Sequence, residues 1–258
     1  TIMFAPEKIA LSELVGAGLV FQRGTSPEAT YVFKHALVQD AAYATLLRSR
    51  RQELHARIAR VLEEAFPETV ETQPELLAHH CTQAGLTGQA IDYWQRAGER
   101  ALARSANLEA SRHFGQGIEL IKSLSPTPER TRREFRLYLG LGPATRAIKG
   151  HAAPETLDAF TRARELIDAD TSLPEQMVVF YGLWGVHFVR AEIEAAREVA
   201  EQALRLMSHN ADATSQAHAN RLMGESLFAL GEFVEARQYL QRAIAFCDSD
   251  RATVTDLR

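Results

Sequence analysis

The sequence predicts a mainly helical protein in which a small helix–strand–strand unit precedes a long train of helices. Tyr31, Phe33 and His35 alternate with Val32 and Lys34, which is strand spacing. From Leu37 onward apolar residues recur every three or four positions, which is helix spacing. His35 therefore lies at the junction between a strand and a helix. Beyond Thr72 the chain contains repeated helix start and stop signals and little that is typical of strands.

The first 66 residues are expected to form a partial winged helix. A helix is predicted over 7–17, followed by short strands over 20–23 and 31–33 that a turn over 24–29 joins. Helix, strand, turn and strand form the second half of a winged helix, although another small α/β unit has the same order. Residues 36–66 are then predicted to form two helices with a break near Arg48, where Ser49 and Gln52 suggest a capping box.

Residues 67–258 are predicted to form a helical repeat domain. Asn107, Thr127 and Ser172 have the side chains that favour helix N-caps, and Ser172 with Glu175 forms a second capping-box pattern. The helices are expected at roughly 74–84, 88–105, 107–124, 129–148, 153–169, 173–190, 192–208, 212–230 and 232–247.

Small and large residues recur in a fixed frame along these helices. Small residues allow neighbouring helices to approach, and a large residue fills the space between them. The frame recurs after about 20 or about 40 residues, so a tetratricopeptide-like right-handed superhelix with slightly long helices is expected, a helical solenoid. The residues that define it are Ala90, Trp94, Ala97, Gly98, Ala110, Phe114, Gly117, Gly224, Ala236, Leu240 and Ala243.

The middle of this domain departs from the frame. Gly140, Gly142 and Pro143 lie inside a helical pattern and are expected to kink the helix or end it.

Composition and charge exclude several classes of function. The net charge of −4 provides no global basic field for nucleic acid or anionic lipid, and no apolar run is long enough to span a membrane. Two cysteines far apart in sequence favour a reducing cytoplasm over a disulfide framework. The N-terminus has no signal-peptide character, and the chain is expected to be a fragment of a longer protein.

No sequence motif indicates a catalytic or cofactor site. The chain contains neither a P-loop nor a dinucleotide fingerprint, so no cofactor is expected. His79, His80 and Cys81 are adjacent, but neighbouring helix positions point about 100° apart and do not face one ion. No metal is therefore expected, and these residues are interpreted as surface and core positions.

Several motifs together resemble one family of bacterial signalling proteins. The segments are residues 33–37 with Gln39 and Asp40, residues 90–98, residues 142–144 with 150–154, and residues 230–237. In this order they resemble the winged-helix end and the tetratricopeptide-like tail of proteins that carry a class III adenylate/guanylate cyclase or kinase domain and an AAA/STAND-type ATPase.

The resemblance implies a role for His35 in the longer protein. In such ATPases a winged-helix histidine after the last strand reaches the β-phosphate of bound ADP, within a Met-His-Asp-type motif. His35 stands at the matching position, whereas Ala36 replaces the aspartate of that motif. The alternative is that His35 only closes the strand–helix corner.

The most aromatic stretch, residues 178–188, is a candidate for partner binding. Exposed aromatic side chains on a repeat protein frequently anchor partners, but the same residues also suit an inter-helix core. The candidates are Phe180, Tyr181, Trp184, His187 and Phe188.

The favoured hypothesis is a non-catalytic interaction and regulatory module. Its partner is expected to be a protein or the upstream NTPase and cyclase domains of the same chain, without nucleic acid or membrane, and a homodimer through residues 1–20 is an alternative assembly. Two other functions stay open: a transcriptional regulator that binds DNA through the winged helix, and a helical enzyme with a histidine-based site. The neutral-to-acidic first helix disfavours DNA binding, because groove-reading helices need Arg, Lys, Asn or Gln.

Overall fold

A computed structural model describes residues 8–24, 29–207 and 212–255, with the side chains of 8–10 and 248–255 left aside. Thirteen helices and two strands lie in these ranges, and the chain divides into two compact units, Thr1–Ala90 and Ile91–Arg258. The division differs from the predicted boundary at residue 66. Its physical reason is that α3 (Arg48–Ala65) packs against α4 (Pro67–Thr72) and α5 (Pro74–Ala84), so these helices group with the N-terminal part.

The first unit begins with the predicted helix–strand–strand order. The strands β1 and β2 pair antiparallel, with Val20 opposite Phe33 and Arg23 opposite Thr30. His35 has extended backbone angles and is the residue before α2, which confirms the strand–helix junction. The elements are α1 (Lys8–Gly16), β1 (Val20–Arg23), β2 (Thr30–Phe33), α2 (Ala36–Thr45), α3 (Arg48–Ala65), α4 (Pro67–Thr72) and α5 (Pro74–Ala84).

The second unit consists of consecutive helices that pack on their sequence neighbours. From Asn107 onward each helix contacts the next one along the chain, and Leu173–Val189 also contacts Pro128–Lys149 and Ala213–Leu230. This is the tetratricopeptide-like repeat pattern that the sequence predicts. The helices are α6 (Thr87–Ala103, which starts in the first unit), α7 (Asn107–Ile121), α8 (Pro128–Lys149), α9 (Pro154–Glu165), α10 (Leu173–Val189), α11 (Ile193–Met207), α12 (Ala213–Leu230) and α13 (Phe233–Thr255).

Where helices contact one another, aromatic rings pack against glycines. Phe114 of α7 is fully buried, and a Cβ at Gly98 of α6 would lie 2.6 Å from its Cε1 atom. A Cβ at Gly140 of α8 would overlap the same ring. Only glycine permits this approach, because real side-chain atoms do not come so close.

The same contact recurs one helix pair later. Phe160 of α9 is fully buried between Gly142 of α8 and Gly182 of α10, and a Cβ at Gly142 would lie 2.5 Å from its Cε1 atom. Gly140 and Gly142 are two positions apart and so project to opposite sides of α8. Through them α8 receives Phe114 on one side and Phe160 on the other.

Of the two outcomes expected for Gly140, Gly142 and Pro143, a kinked helix or its end, the end is wrong. The helix α8 continues through Pro143 to Lys149. A proline inside a helix removes one backbone hydrogen bond, but the packing of the two buried rings against α8 offsets that cost.

The other frame residues also lie at helix contacts. A Cβ at Gly117 would lie 2.6 Å from Leu137, and one at Gly224 would lie 2.7 Å from Leu240. Leu240 is half-buried, and Trp94 is half-buried with its ring stacked on His113 at 5.3 Å. The small members Ala90, Ala97, Ala110, Ala236 and Ala243 are buried.

Two predicted helix caps are confirmed and two are wrong. The Thr127 side chain accepts a hydrogen bond from the Arg130 amide, and the Ser172–Glu175 capping box is complete. Asn107 does not cap α7, because Ala106 occupies the N-cap position without a side-chain bond. The break between α2 and α3 is present, but Leu47 precedes α3, so the Ser49–Gln52 capping box does not form.

Candidate functional site

His35 lies on the surface of the first unit. Its side chain is exposed and makes no capping hydrogen bond to α2. The imidazole is thus accessible to a ligand, and nucleotide sensing by His35 stays a prediction. The proposed dimer face, residues 1–20, falls partly outside the described residues.

The aromatic stretch in α10 is mainly core. Phe180 and Trp184 are only 5% and 6% exposed, and Phe188 is half-buried and stacks on Trp184 at 4.6 Å. This corrects the interpretation of Phe180 and Trp184 as partner-binding residues, because both pack in the core between helices. Inter-helix core, the alternative interpretation, describes Phe180 and Trp184.

Trp184 also makes a buried polar contact. Its indole Nε1–H donates a 2.9 Å hydrogen bond to Ser226 Oγ of α12, and the Ser226 hydroxyl donates to the Leu222 carbonyl. His187 is half-buried and its Nδ1 atom lies 2.6 Å from Glu192 Oε2. Both residues thus have roles within the unit.

Tyr181, unlike Phe180 and Trp184, borders open space. It lines a cavity of about 490 Å³ between α8, α10 and the first half of α12. Each helix contributes positions three or four apart, which is one helix face. We call this surface the α8–α10–α12 face; its residues are Pro143, Arg146, Pro174, Met177, Val178, Tyr181, Asp212, Thr214, Ser215, His218 and Arg221.

Two arginines converge on Tyr181. The guanidinium carbons of Arg146 and Arg221 each lie 5.5 Å from the centroid of the tyrosine ring. Arg221 Nη1 donates to Glu225 at 2.8 Å, whereas Arg146 forms no ion pair with any residue in the described ranges. Arg146 also lowers the pKa of His151, after the larger effect of burial.

The acidic residue of the cavity is engaged with its own helix. Asp212 accepts hydrogen bonds from the Ser215 amide and hydroxyl at 2.9 and 2.7 Å and so caps α12. The Ser215 hydroxyl and amide lower the pKa of Asp212, so this carboxylate stays ionised. Sequence reasoning missed this cavity, because its residues come from three separate helices.

A second cluster, of histidines, lies in the first unit. His55 Nδ1 of α3 is 2.8 Å from His80 Nδ1 of α5, and the Tyr43 hydroxyl lies 2.9 Å from His55 Nε2. The exposed His79 ring is 5.9 Å from His55. The sequence analysis interprets His79 and His80 as surface and core positions, and the structure adds the contact between His80 and His55. His55 shares a buried helix face with Ala59 and Leu62, which was the available signal.

Burial and like charge lower the pKa values of His55 and His80 and favour their neutral forms. Desolvation, followed by the neighbouring His55 and His79, lowers the pKa of His80 to about 4. Desolvation and His79 lower the pKa of His55. Burial also raises the pKa of the Cys81 thiol to about 11. Within the described ranges, no group of three or more His, Cys, Asp or Glu side chains is arranged to hold a metal ion.

None of the described helices combines the length and the apolar character needed to cross a bilayer.

Comparison with known proteins supports the fold and leaves the family open. No protein-family model matches the chain. An uncharacterized protein of Rhizobium meliloti (strain 1021) is 24% identical over 222 residues, which cover 86% of this chain and 22% of that protein. The chain thus spans about a fifth of the length of this curated relative.

Solved structures of tetratricopeptide-like proteins match the helical architecture. BtubC (BKLC) from P. vanneervenii is similar with a TM-score of 0.57 and 13% identity, over 80% of this chain and 93% of that one. The nearly identical TPR-like repeats of a putative kinesin light chain from Podosopora anserina have a TM-score of 0.52 and 16% identity, over 79% of this chain and 98% of that one. These likenesses establish a TPR-like repeat fold.

Proposed function

We propose that this chain is a non-catalytic protein-interaction module in which the α8–α10–α12 face receives the partner. The observation that carries the proposal is the fold: stacked helix pairs present residues of every second helix on one continuous surface. Val178 is 41% exposed in the middle of that surface, beside the partly exposed Tyr181.

Site-specific photo-crosslinking tests the face directly. A photo-reactive residue at Val178 is expected to form discrete adducts with a partner in cells of the source organism. The matched control is Val234, another exposed valine, which lies on α13 outside the face. Adducts from both positions, or from Val234 alone, would contradict a partner site at the α8–α10–α12 face.

The proposal extends to a regulatory role in a longer, cytoplasmic signalling protein. Its support is the resemblance to the winged-helix and repeat tail of cyclase and STAND ATPase proteins, together with the much greater length of the Rhizobium relative. Cys81 and Cys247 are free thiols, which suits a reducing compartment. In this scheme the repeats bind a protein or the upstream domains, and the winged-helix segment transmits the event to the nucleotide site.

His35 provides the test of that role. In the longer protein His35→Ala is expected to weaken ADP binding at least about tenfold, because a hydrogen bond to a charged group contributes roughly 1.5–3 kcal/mol. Arg237→Ala removes an exposed side chain of α13, outside the α8–α10–α12 face, and serves as the control. Equal ADP affinity in the wild-type and His35→Ala proteins would contradict nucleotide sensing by His35.

A further inference from the structure

We infer that the cavity on the α8–α10–α12 face binds an apolar group that carries a carboxylate, with the carboxylate at Arg146 and Arg221. The inference goes beyond the proposed function, since a small acid can occupy the cavity whether or not a protein docks on this face. The two proposals therefore fail separately.

The size and walls of the cavity suit a compact apolar body. A volume of about 490 Å³ lies within the range of roughly 300–1,000 Å³ that is typical of small-ligand sites. The apolar walls come from α8 and α10 and consist of Pro143, Pro174, Met177, Val178 and the ring of Tyr181. Such walls favour burial of an aliphatic or aromatic group.

Beside Tyr181, two arginine side chains retain N–H groups that can donate hydrogen bonds to a ligand. A guanidinium has five N–H donors and no acceptor. Arg221 uses Nη1 on Glu225, and Arg146 has no carboxylate partner within the described part of the chain. Both converge on the ring of Tyr181 at 5.5 Å, which holds their planar groups in place. Planar forks of this kind match the geometry of carboxylate and phosphate groups, and a carboxylate brings the smaller charge into these apolar walls.

The one acidic residue of the cavity does not oppose this assignment. Asp212 precedes the first turn of α12, and Arg221 lies nine residues further along. At about 1.5 Å per residue, the two are separated by roughly 13 Å along the helix. Both carboxylate oxygens of Asp212 also accept hydrogen bonds from Ser215. The ligand carboxylate is thus directed to the Arg146–Arg221 end.

A matched pair of probes tests the charge requirement. The dissociation constants of 3-phenylpropionate and of its neutral amide, 3-phenylpropanamide, are measured by NMR titration of the full chain. The acid is expected to bind at least tenfold more tightly, with shift changes at Tyr181 and Val178. Equal affinities, or no binding of the acid, would overturn the inference.

Arginine variants locate the effect. Arg146→Gln and, independently, Arg221→Gln are each expected to reduce the preference for the acid at least fivefold. Arg237→Gln removes an exposed arginine of α13 outside the cavity and is expected to leave the preference unchanged. Circular dichroism confirms that each variant is folded. An unchanged preference in both cavity variants would overturn the site.

A third probe distinguishes the source of the ligand. N-acetyl-Gly-Gly-Phe with a free C-terminal carboxylate represents the end of a peptide, and its C-terminal amide is its control. Tighter binding of the peptide acid than of 3-phenylpropionate would identify a peptide terminus as the ligand, and the reverse order a free small acid. Either order upholds a carboxylate site, provided that both acids exceed their amides.

Discussion

Trp184 of α10 donates its indole N–H to Ser226 Oγ of α12, a buried bond of 2.9 Å across 42 residues of sequence. Ser226 is fully buried and Trp184 is 6% exposed, so water cannot replace either partner. The bond therefore joins two helices that both contribute to the α8–α10–α12 face. It explains why a polar serine lies in an otherwise apolar contact.

Removal of the serine hydroxyl should lower the free energy of unfolding. Ser226→Ala leaves the Trp184 N–H buried without an acceptor and is expected to cost about 1–3 kcal/mol in the free energy of unfolding. Urea denaturation provides the measurement, and Ser123→Ala, at an exposed helix end, is the control. In a double-mutant cycle with Trp184→Phe, the combined loss should be smaller than the sum of the two single losses. Strict additivity would contradict the bond.

The sequence suggests a helix cap at both Ser172 and Asn107, but only Ser172 forms one in the structure. Ser172→Ala breaks a complete capping box and is expected to destabilise the chain by about 1 kcal/mol. Asn107→Ala is expected to change stability by less than about 0.5 kcal/mol, since Asn107 is the first residue of α7 and makes no cap. Thermal unfolding of both variants is the measurement. A larger loss for Asn107→Ala would place the start of α7 elsewhere.

The histidine cluster predicts an acid-dependent loss of stability. The folded pKa of His80 is about 4 and the unfolded value 6.5, so the unfolded chain binds more protons between these limits. The contribution of His80 is thus fully present above pH 6.5 and is lost as the pH falls toward 4. After a discount for partial solvent exposure, it amounts to about 1 kcal/mol.

NMR titration of the histidine rings measures this shift. His80 should titrate well below its ordinary value in the folded chain and return to about 6.5 in concentrated urea. His79→Gln should raise the pKa of His80 in the folded chain, because it removes one neighbouring charge. An ordinary titration of His80 in the folded protein would contradict the cluster.

The sequence predicts those features that depend on neighbours along the chain. The junction at His35, the break between α2 and α3, the Thr127 cap and the Ser172 box all depend on residues within a few positions of one another. The repeat frame succeeds for the same reason, since a helix face is a local pattern with a fixed period. Phe114 and Gly98 are thus identified before their contact is known.

Features that depend on packing between helices escape prediction. Gly140, Gly142 and Pro143 have helix-breaking propensities, but the rings of Phe114 and Phe160 pack where those glycines lack side chains. Tertiary packing outweighs local propensity there. The cavity and the histidine cluster are missed for a related reason, because each combines residues from separate helices.

The central claim is that rings packed onto glycines hold the repeat helices together and so maintain the α8–α10–α12 face. Its most direct test compares the unfolding free energies of Gly140→Ala and Gly115→Ala. Both glycines lie inside helices, but a Cβ at Gly140 would overlap Phe114, whereas one at Gly115 would meet nothing within 4 Å.

The two substitutions should change the free energy of unfolding in opposite directions. Gly140→Ala should destabilise by about 1–3 kcal/mol through overpacking, and Gly115→Ala should stabilise by up to about 1 kcal/mol through helix propensity. Urea denaturation of the two variants and the wild-type chain gives both values. Stabilisation of similar size in both would contradict the ring-on-glycine packing and with it the central claim.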